Sequence, residues 1–179
     1  MNIRFGTYTI YNDIEMSISE YYGHGLDQEF EKNHRVISYP KEYGQLNGFN
    51  FDVASNAFKK DILVKDLNNA YSAITKALYK GMSFFVQSDP KEGYVGLNSN
   101  ESSNFEKIGY ERYQINDEKK VNEDQLYNSK YFKVHNGFII RVNIKELDEI
   151  WEERTKSKYN LPMPEGIEIK KIIKHRNII

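Results

Sequence analysis

Near the end of the chain, Glu146, Asp148, Glu149, Glu152 and Glu153 fall within eight positions. If that stretch is a helix, Glu146, Glu149 and Glu153 lie three and four apart on one face. Such a row could hold a divalent cation. It could equally dock on a basic partner, with complementary charge steering the encounter. It could also be a solvated face, opposite a stripe of Leu147, Ile150 and Trp151. No histidine and no second acidic motif stands at ligand spacing, so no metal is expected. The docking reading makes Glu146, Glu149 and Glu153 the candidate partner-binding residues.

The four histidines are His24, His34, His135 and His175, and none falls in an H-E-x-x-H arrangement. His24 sits between Gly23 and Gly25, where backbone could approach a ligand closely. His34-Arg35 could hold a phosphate or carboxylate, but neighbours on a strand point to opposite faces. Phosphate-cradling glycine loops and the G-x-S-x-G elbow are absent from the sequence. No catalytic residue and no cofactor are assigned. A small enzyme acting on nucleotides or nucleic acid would need His24, His34, Arg35 and a glutamate to converge in space.

The elements that would carry these groups announce themselves by a recurring pattern: apolar residue, ring, turn pair, then alternating apolar residues. It occurs at Ile10-Tyr11-Asn12-Asp13-Ile14, at Leu78-Tyr79-Lys80-Gly81-Met82 and at Val134-His135-Asn136-Gly137-Phe138. Turn pairs of this kind between apolar runs mark two-residue hairpins, because both central residues need positive φ. The sequence therefore predicts an α+β fold: mainly antiparallel sheet built from three similar β-hairpins, with two or three short helices. Tyr11, Tyr79 and His135 should then occupy equivalent places.

Residues 64–79 carry both periods. Val64, Leu67, Tyr71, Ile74 and Leu78 space like a helix, while Thr75, Ala77 and Tyr79 match the arm of the first hairpin; a short helix followed by a strand is expected. Ser103-Asn104-Phe105-Glu106 fits a capping box with Gly109 as the stop, and Asn143-Ile144-Lys145-Glu146 fits a second. Residues 26–60 are irregular, with a short helix over Asp27–Asn33 and a strand over Arg35–Tyr39 expected. A single globular domain over 1–165 is expected, with 166–179 as a basic tail or final strand.

The chain has 179 residues, no cysteine and a formal net charge of −1. Disulfides and thiolate chemistry are excluded. The balanced charge gives no drive toward nucleic acid or membrane, although the stretch from Gly166 is basic. With no span of about 20 apolar residues and no apolar leader, a cytoplasmic protein is expected. The 14 Tyr, 10 Phe and one Trp admit two uses, a β-rich core or a sticky recognition face.

The segment from Thr75 to Val86, with its Tyr79-Lys80-Gly81 turn, resembles the tyrosine-lysine-glycine hairpins of small bacterial immunity proteins. The closing Glu149-Ile150-Trp151-Glu152-Glu153-Arg154 is similar to theirs too. The resemblance implies a non-enzymatic cytoplasmic inhibitor that binds one cognate toxin domain. It supplies no binding residues.

Overall fold

Period-two alternation decides most of this chain. The computed structural model describes residues 3–20, 33–87, 90–112, 130–134 and 137–175. In β6 (Tyr71–Tyr79), alternate residues from Tyr71 are buried and those between are half-exposed. The competing helical spacing is confined to a single 3-10 turn at Val64–Asp66. Two compact units result: Met1–Phe5, Ile74–Glu153 and Lys170–Ile179 form unit I, and Gly6–Ala73 with Arg154–Ile169 form unit II.

Unit II is an antiparallel run. Strand β1 (Phe5–Tyr11) pairs with β2 (Ile14–Glu20) across Asn12-Asp13, and Tyr11 faces Ile14. Both turn residues have positive φ, 50° and 60°, as this turn requires. Strand β3 (His34–Pro40) pairs with β2 and with β5 (Ala57–Leu63), and β4 (Asn50–Asp52) pairs with β5. Met16, Ile18, Ile37, Tyr39, Phe49, Ile62 and Leu67 form the core.

In unit I, β6 turns through Lys80-Gly81 into β7 (Met82–Val86), and Tyr79 faces Met82. Strand β8 (Tyr94–Ser99) pairs with β7 and with β11 (Gly137–Asn143). Strand β10 (Lys130–Val134) pairs antiparallel with β11 and parallel with β9 (Glu111–Arg112). Strand β12 (Glu149–Lys156) pairs with β6 and with β13 (Lys170–His175). Inward residues such as Ala77, Phe84, Leu97, Ile140 and Ile150 pack with Phe105 of α1 (Ser103–Lys107).

The fold is mainly β, and the expected α+β balance is corrected accordingly. Among the described residues the helical pieces are α1, five residues long, the single helical residue Asn33 and three 3-10 turns. Its N-cap is Ser102, which makes no side-chain capping bond, so the box at Ser103 does not form. Ser99 Oγ instead accepts from the Glu101 amide (3.1 Å) and from Asn104 Nδ2 (2.9 Å).

The expected C-terminal acidic helix is absent. Asn143 does cap, its side chain accepting from the Lys145 amide, but what it caps is the 3-10 turn Ile144–Glu146. Strand β12 follows at once. Its inward positions are Ile150, Glu152 and Arg154, so two of the three are charged and the alternation is invisible to hydrophobicity.

The third hairpin departs from the first two. Val134 pairs with Gly137, one step out of the register in which His135 would pair with Phe138. Gly137 therefore opens β11 instead of closing a turn. His135, Asn136, His24 and residues 113–129 lie outside the described residues, as does most of the expected helix over Asp27–Asn33. No helix among the described residues is long and apolar enough to cross a membrane.

Candidate functional site

Strands β7, β8 and β11 and the parts of β6 and β12 that belong to unit I show one face to the core and one outward. Antiparallel sheets with a solvated face usually alternate apolar-in and polar-out. Here the outward positions include Ile74, Leu78, Phe85, Ile139 and Trp151, each partly buried. The register fixes the neighbours: Lys76 lies opposite Phe85, Phe85 opposite Asn98, and Asn98 opposite Ile139. Gly96 makes this packing possible, since a Cβ there would come within 2.9 Å of Ile139 Cδ1.

Two of the three candidate carboxylates belong to this face. Glu149 and Glu153 flank Trp151 on β12, at strand spacing. Lys170 Nζ stands 2.5 Å from Glu149 Oε1 and 4.5 Å from the centre of the Trp151 ring. Lys76 Nζ stands 2.6 Å from Glu153 Oε2 and 5.7 Å from the centre of the Phe85 ring. Cations thus bracket Trp151 and Phe85 and compensate both carboxylates. Each of these two carboxylates on the face is therefore paired with a lysine.

Two shallow grooves border Phe85. One, of about 450 Å³, runs past Phe5, Ile74, Gln87, Asn98 and Asn100. Its wall residue Phe5 is 78 % exposed. The other, of about 260 Å³, is lined by polar groups including Lys76, Ser83, Asn98 and Asn104. Apolar floors with a few amide groups suit contact with side chains and backbone of another protein.

Glu146 lies apart from this face. Its Oε2 accepts from the Tyr79 hydroxyl at 3.3 Å, and the Tyr79 and Tyr110 hydroxyls are 3.2 Å apart. Burial pushes the Tyr79 phenol well above the ordinary tyrosine range, and the Tyr110 hydroxyl and Glu146 add to the shift. Lys80 Nζ lies over both rings and bonds the Ile108 carbonyl at 3.1 Å. This is a packing cluster around the β6–β7 turn. Glu152, its neighbour in sequence to Glu153, points inward to Arg4, 3.1 Å away.

Of the four histidines, His34 is the one whose side chain belongs to the described residues. His34 and Arg35 point apart. Arg35 Nε donates to the Tyr159 hydroxyl at 3.0 Å, with its guanidinium 5.0 Å from the ring centre. His34 lines a cleft of about 510 Å³ in unit II with Tyr11, Lys60, Asp61 and Asp66. Lys60 Nζ bonds the Tyr11 hydroxyl there at 2.8 Å. No group of three metal-ligating side chains occurs among the described residues.

Fold and face together define a class: a β-rich protein with an open, partly apolar sheet face. Compared with known protein families, curated proteins and solved structures, the chain matches none. Sequence reasoning missed Phe85, Ile139 and Trp151 as one surface. The signal available was the strand period of Lys76–Leu78 and Ser83–Phe85, which sets alternate residues on the face away from Ala77 and Phe84.

Proposed function

We propose that the chain is a protein-binding module that neutralises a cognate bacterial toxin domain by direct contact. The observation that carries this reading is the outward apolar row Ile74, Leu78, Phe85, Ile139 and Trp151 on a sheet face that would ordinarily be polar. Tryptophan is a residue type on which binding energy concentrates. Ion-paired carboxylates beside it hold lysine stems over the rings and exclude water from the contact. The resemblance of the Tyr79-Lys80-Gly81 hairpin to immunity proteins suggests a toxin domain as the occupant, and a cytoplasmic encounter.

The test is rescue of growth. The chain is co-expressed with any toxin domain found encoded immediately beside its gene, and survival is scored. The wild-type chain should protect, and a Trp151→Ala/Phe85→Ser double variant should not. Truncation of a central anchor costs about 2–4 kcal/mol of binding, enough to lose protection at limiting expression. Full protection by a correctly folded double variant would remove this face from the interaction.

A second reading has one observation in its favour, the cleft where His34, Lys60, Asp61 and Tyr11 meet. It would make unit II the seat of a nucleotide-directed activity. Nuclease and ADP-ribosyl-transfer assays on the wild type and His34→Ala test it, and activity unaffected by the substitution would end it.

A further inference from the structure

We infer that β13 is an acceptor edge for an acidic, extended segment of a protein partner, which adds to it as a further strand. This rests on the reading of the chain as a protein-binding module and names a second contact for it. Among the described residues β13 pairs only with β12, leaving its other edge unpaired. At about 3.3 Å per residue its six residues offer about 20 Å of edge, the length of an ordinary strand. The sequence is Lys170-Lys171-Ile172-Ile173-Lys174-His175, with no acidic residue. Lys170 and Lys171 are exposed, and Ile172 is 46 % exposed.

The chemistry selects among occupants. A second copy laid edge to edge would set lysine against lysine, which is how natural sheets discourage self-pairing. An acidic strand meets the opposite sign and gains main-chain hydrogen bonds along the edge, with Ile172 offering an apolar contact at the centre. Nucleic acid shares the negative charge but has no alternating amide donors and acceptors to match a strand edge. The edge of unit II makes a useful contrast: β4 is only three residues long, and its Asp52 is tied to Lys59.

The probe is a capped hexapeptide alternating glutamate and valine, titrated calorimetrically into the full chain. Three controls accompany it: the same peptide N-methylated at alternate residues, a lysine–valine peptide, and a short DNA duplex. The acidic peptide should bind with one-to-one stoichiometry. Lys171→Glu should weaken it by about tenfold, and N-methylation should abolish it. Lys171 is exposed, so the variant should melt as the wild type does; if it does not, Lys171→Ala replaces it, with a smaller loss expected. No binding of the acidic peptide, undiminished binding of the N-methylated one, or tighter binding of DNA would each overturn the proposal. No toxin domain is present in this titration, so its failure leaves the outer-face reading standing, and failure of rescue leaves this one standing.

Discussion

The two units spend their aromatic residues differently. In unit II the rings meet one another. Tyr39 lies 5.0 Å from Phe49 and 5.5 Å from Phe58, and Phe51 lies 5.3 Å from Phe58, centre to centre. Tyr39 and Phe49 are almost wholly buried. In unit I the inward rings Phe84 and Phe105 stack at 5.2 Å, but Trp151 and Phe85 face outward under lysine side chains. The same residue class packs ring on ring in one place and stands on an outward sheet face in the other. Composition alone could not separate these uses; the strand register does, by deciding which side of the sheet each ring stands on.

The sharpest way to break this contrast is to remove one ring from each setting. Phe49→Ala should cost about 3–5 kcal/mol of stability, the range for a buried phenylalanine that leaves a cavity. Phe85→Ala should cost less, about 1–2 kcal/mol, because Phe85 is only partly buried. Chemical denaturation midpoints for the two variants measure the difference. Equal losses would mean that Phe85 is structural and that the outer face is not free for a partner.

Adjacent carboxylates on β12 sharpen the same point within one strand. Glu152 Oε1 accepts from Arg4 in a buried pair. Arg4 is held further by its backbone, whose amide donates to Thr75 Oγ1 and whose carbonyl accepts from the Thr75 amide, both at 2.8 Å. Glu152→Ala strands the guanidinium in low dielectric without that carboxylate, and should cost about 3–5 kcal/mol. Glu153→Ala breaks only a partly exposed pair with Lys76 and should cost about 0–1 kcal/mol. The reverse order would place the wrong face of β12 inward.

Much of the sheet could be read directly. In β6 the inward positions are Tyr71, Ala73, Thr75, Ala77 and Tyr79, small or apolar throughout, and the two tight turns at Asn12-Asp13 and Lys80-Gly81 carry their own signal. The acidic row could not be placed, because Glu152 and Arg154 occupy inward positions where periodicity looks for apolar residues. Their burial depends on tertiary partners. For Glu152 the partner is Arg4, 148 positions away, and for Arg154 it includes the ring of Tyr71 at 5.6 Å. Leu147, Ile150 and Trp151 imitate a helical stripe although Trp151 faces opposite to Ile150. The outer face was illegible for a related reason: which of two alternating rows is the open one depends on what packs against the sheet.

Gly137 gives an intermediate effect and tests the register in unit I. Its φ is +135°, and a Cβ would meet the Ser99 carbonyl oxygen at 2.7 Å and Asn98 Oδ1 at 3.2 Å. The Asn136-Gly137 pair looked like a turn, yet the glycine serves a close backbone approach at the start of β11. Gly137→Val should cost about 1–3 kcal/mol, the scale of a strained backbone position. Gly81→Ala removes a glycine at φ +77° with open space around it, so it carries conformational strain alone and should cost less. Thermal melts compare them. A larger loss at Gly81 would return Gly137 to the role of an ordinary turn residue.

The smallest effect belongs to the hairpin of β4 and β5, and it depends on pH. Asp52 Oδ2 accepts from Lys59 Nζ and from the Ser55 hydroxyl, and Oδ1 accepts from the Ala54 amide at 3.0 Å. The Lys59 ammonium above all, then the Ser55 hydroxyl and Ala54 amide, hold the carboxyl at about 2, below its ordinary 3.8. A carboxyl depressed in the folded state favours folding while it is ionised. That contribution is fully present above the unfolded value near 3.8 and drains away as pH falls toward about 2. Asp52→Asn lacks the titration, so wild type and variant should differ most in melting temperature above pH 4 and converge as pH approaches 2. The group is exposed and solvent screens it, so the difference is small at any pH. Comparing the two proteins at each pH cancels the acid response of every other carboxylate, Glu152 included. A difference that stays constant from neutral pH down to 2 would mean that Asp52 acts through its shape and hydrogen bonds, with its charge irrelevant. The polar chemistry of this hairpin would then be as inert as its aromatic packing is tight.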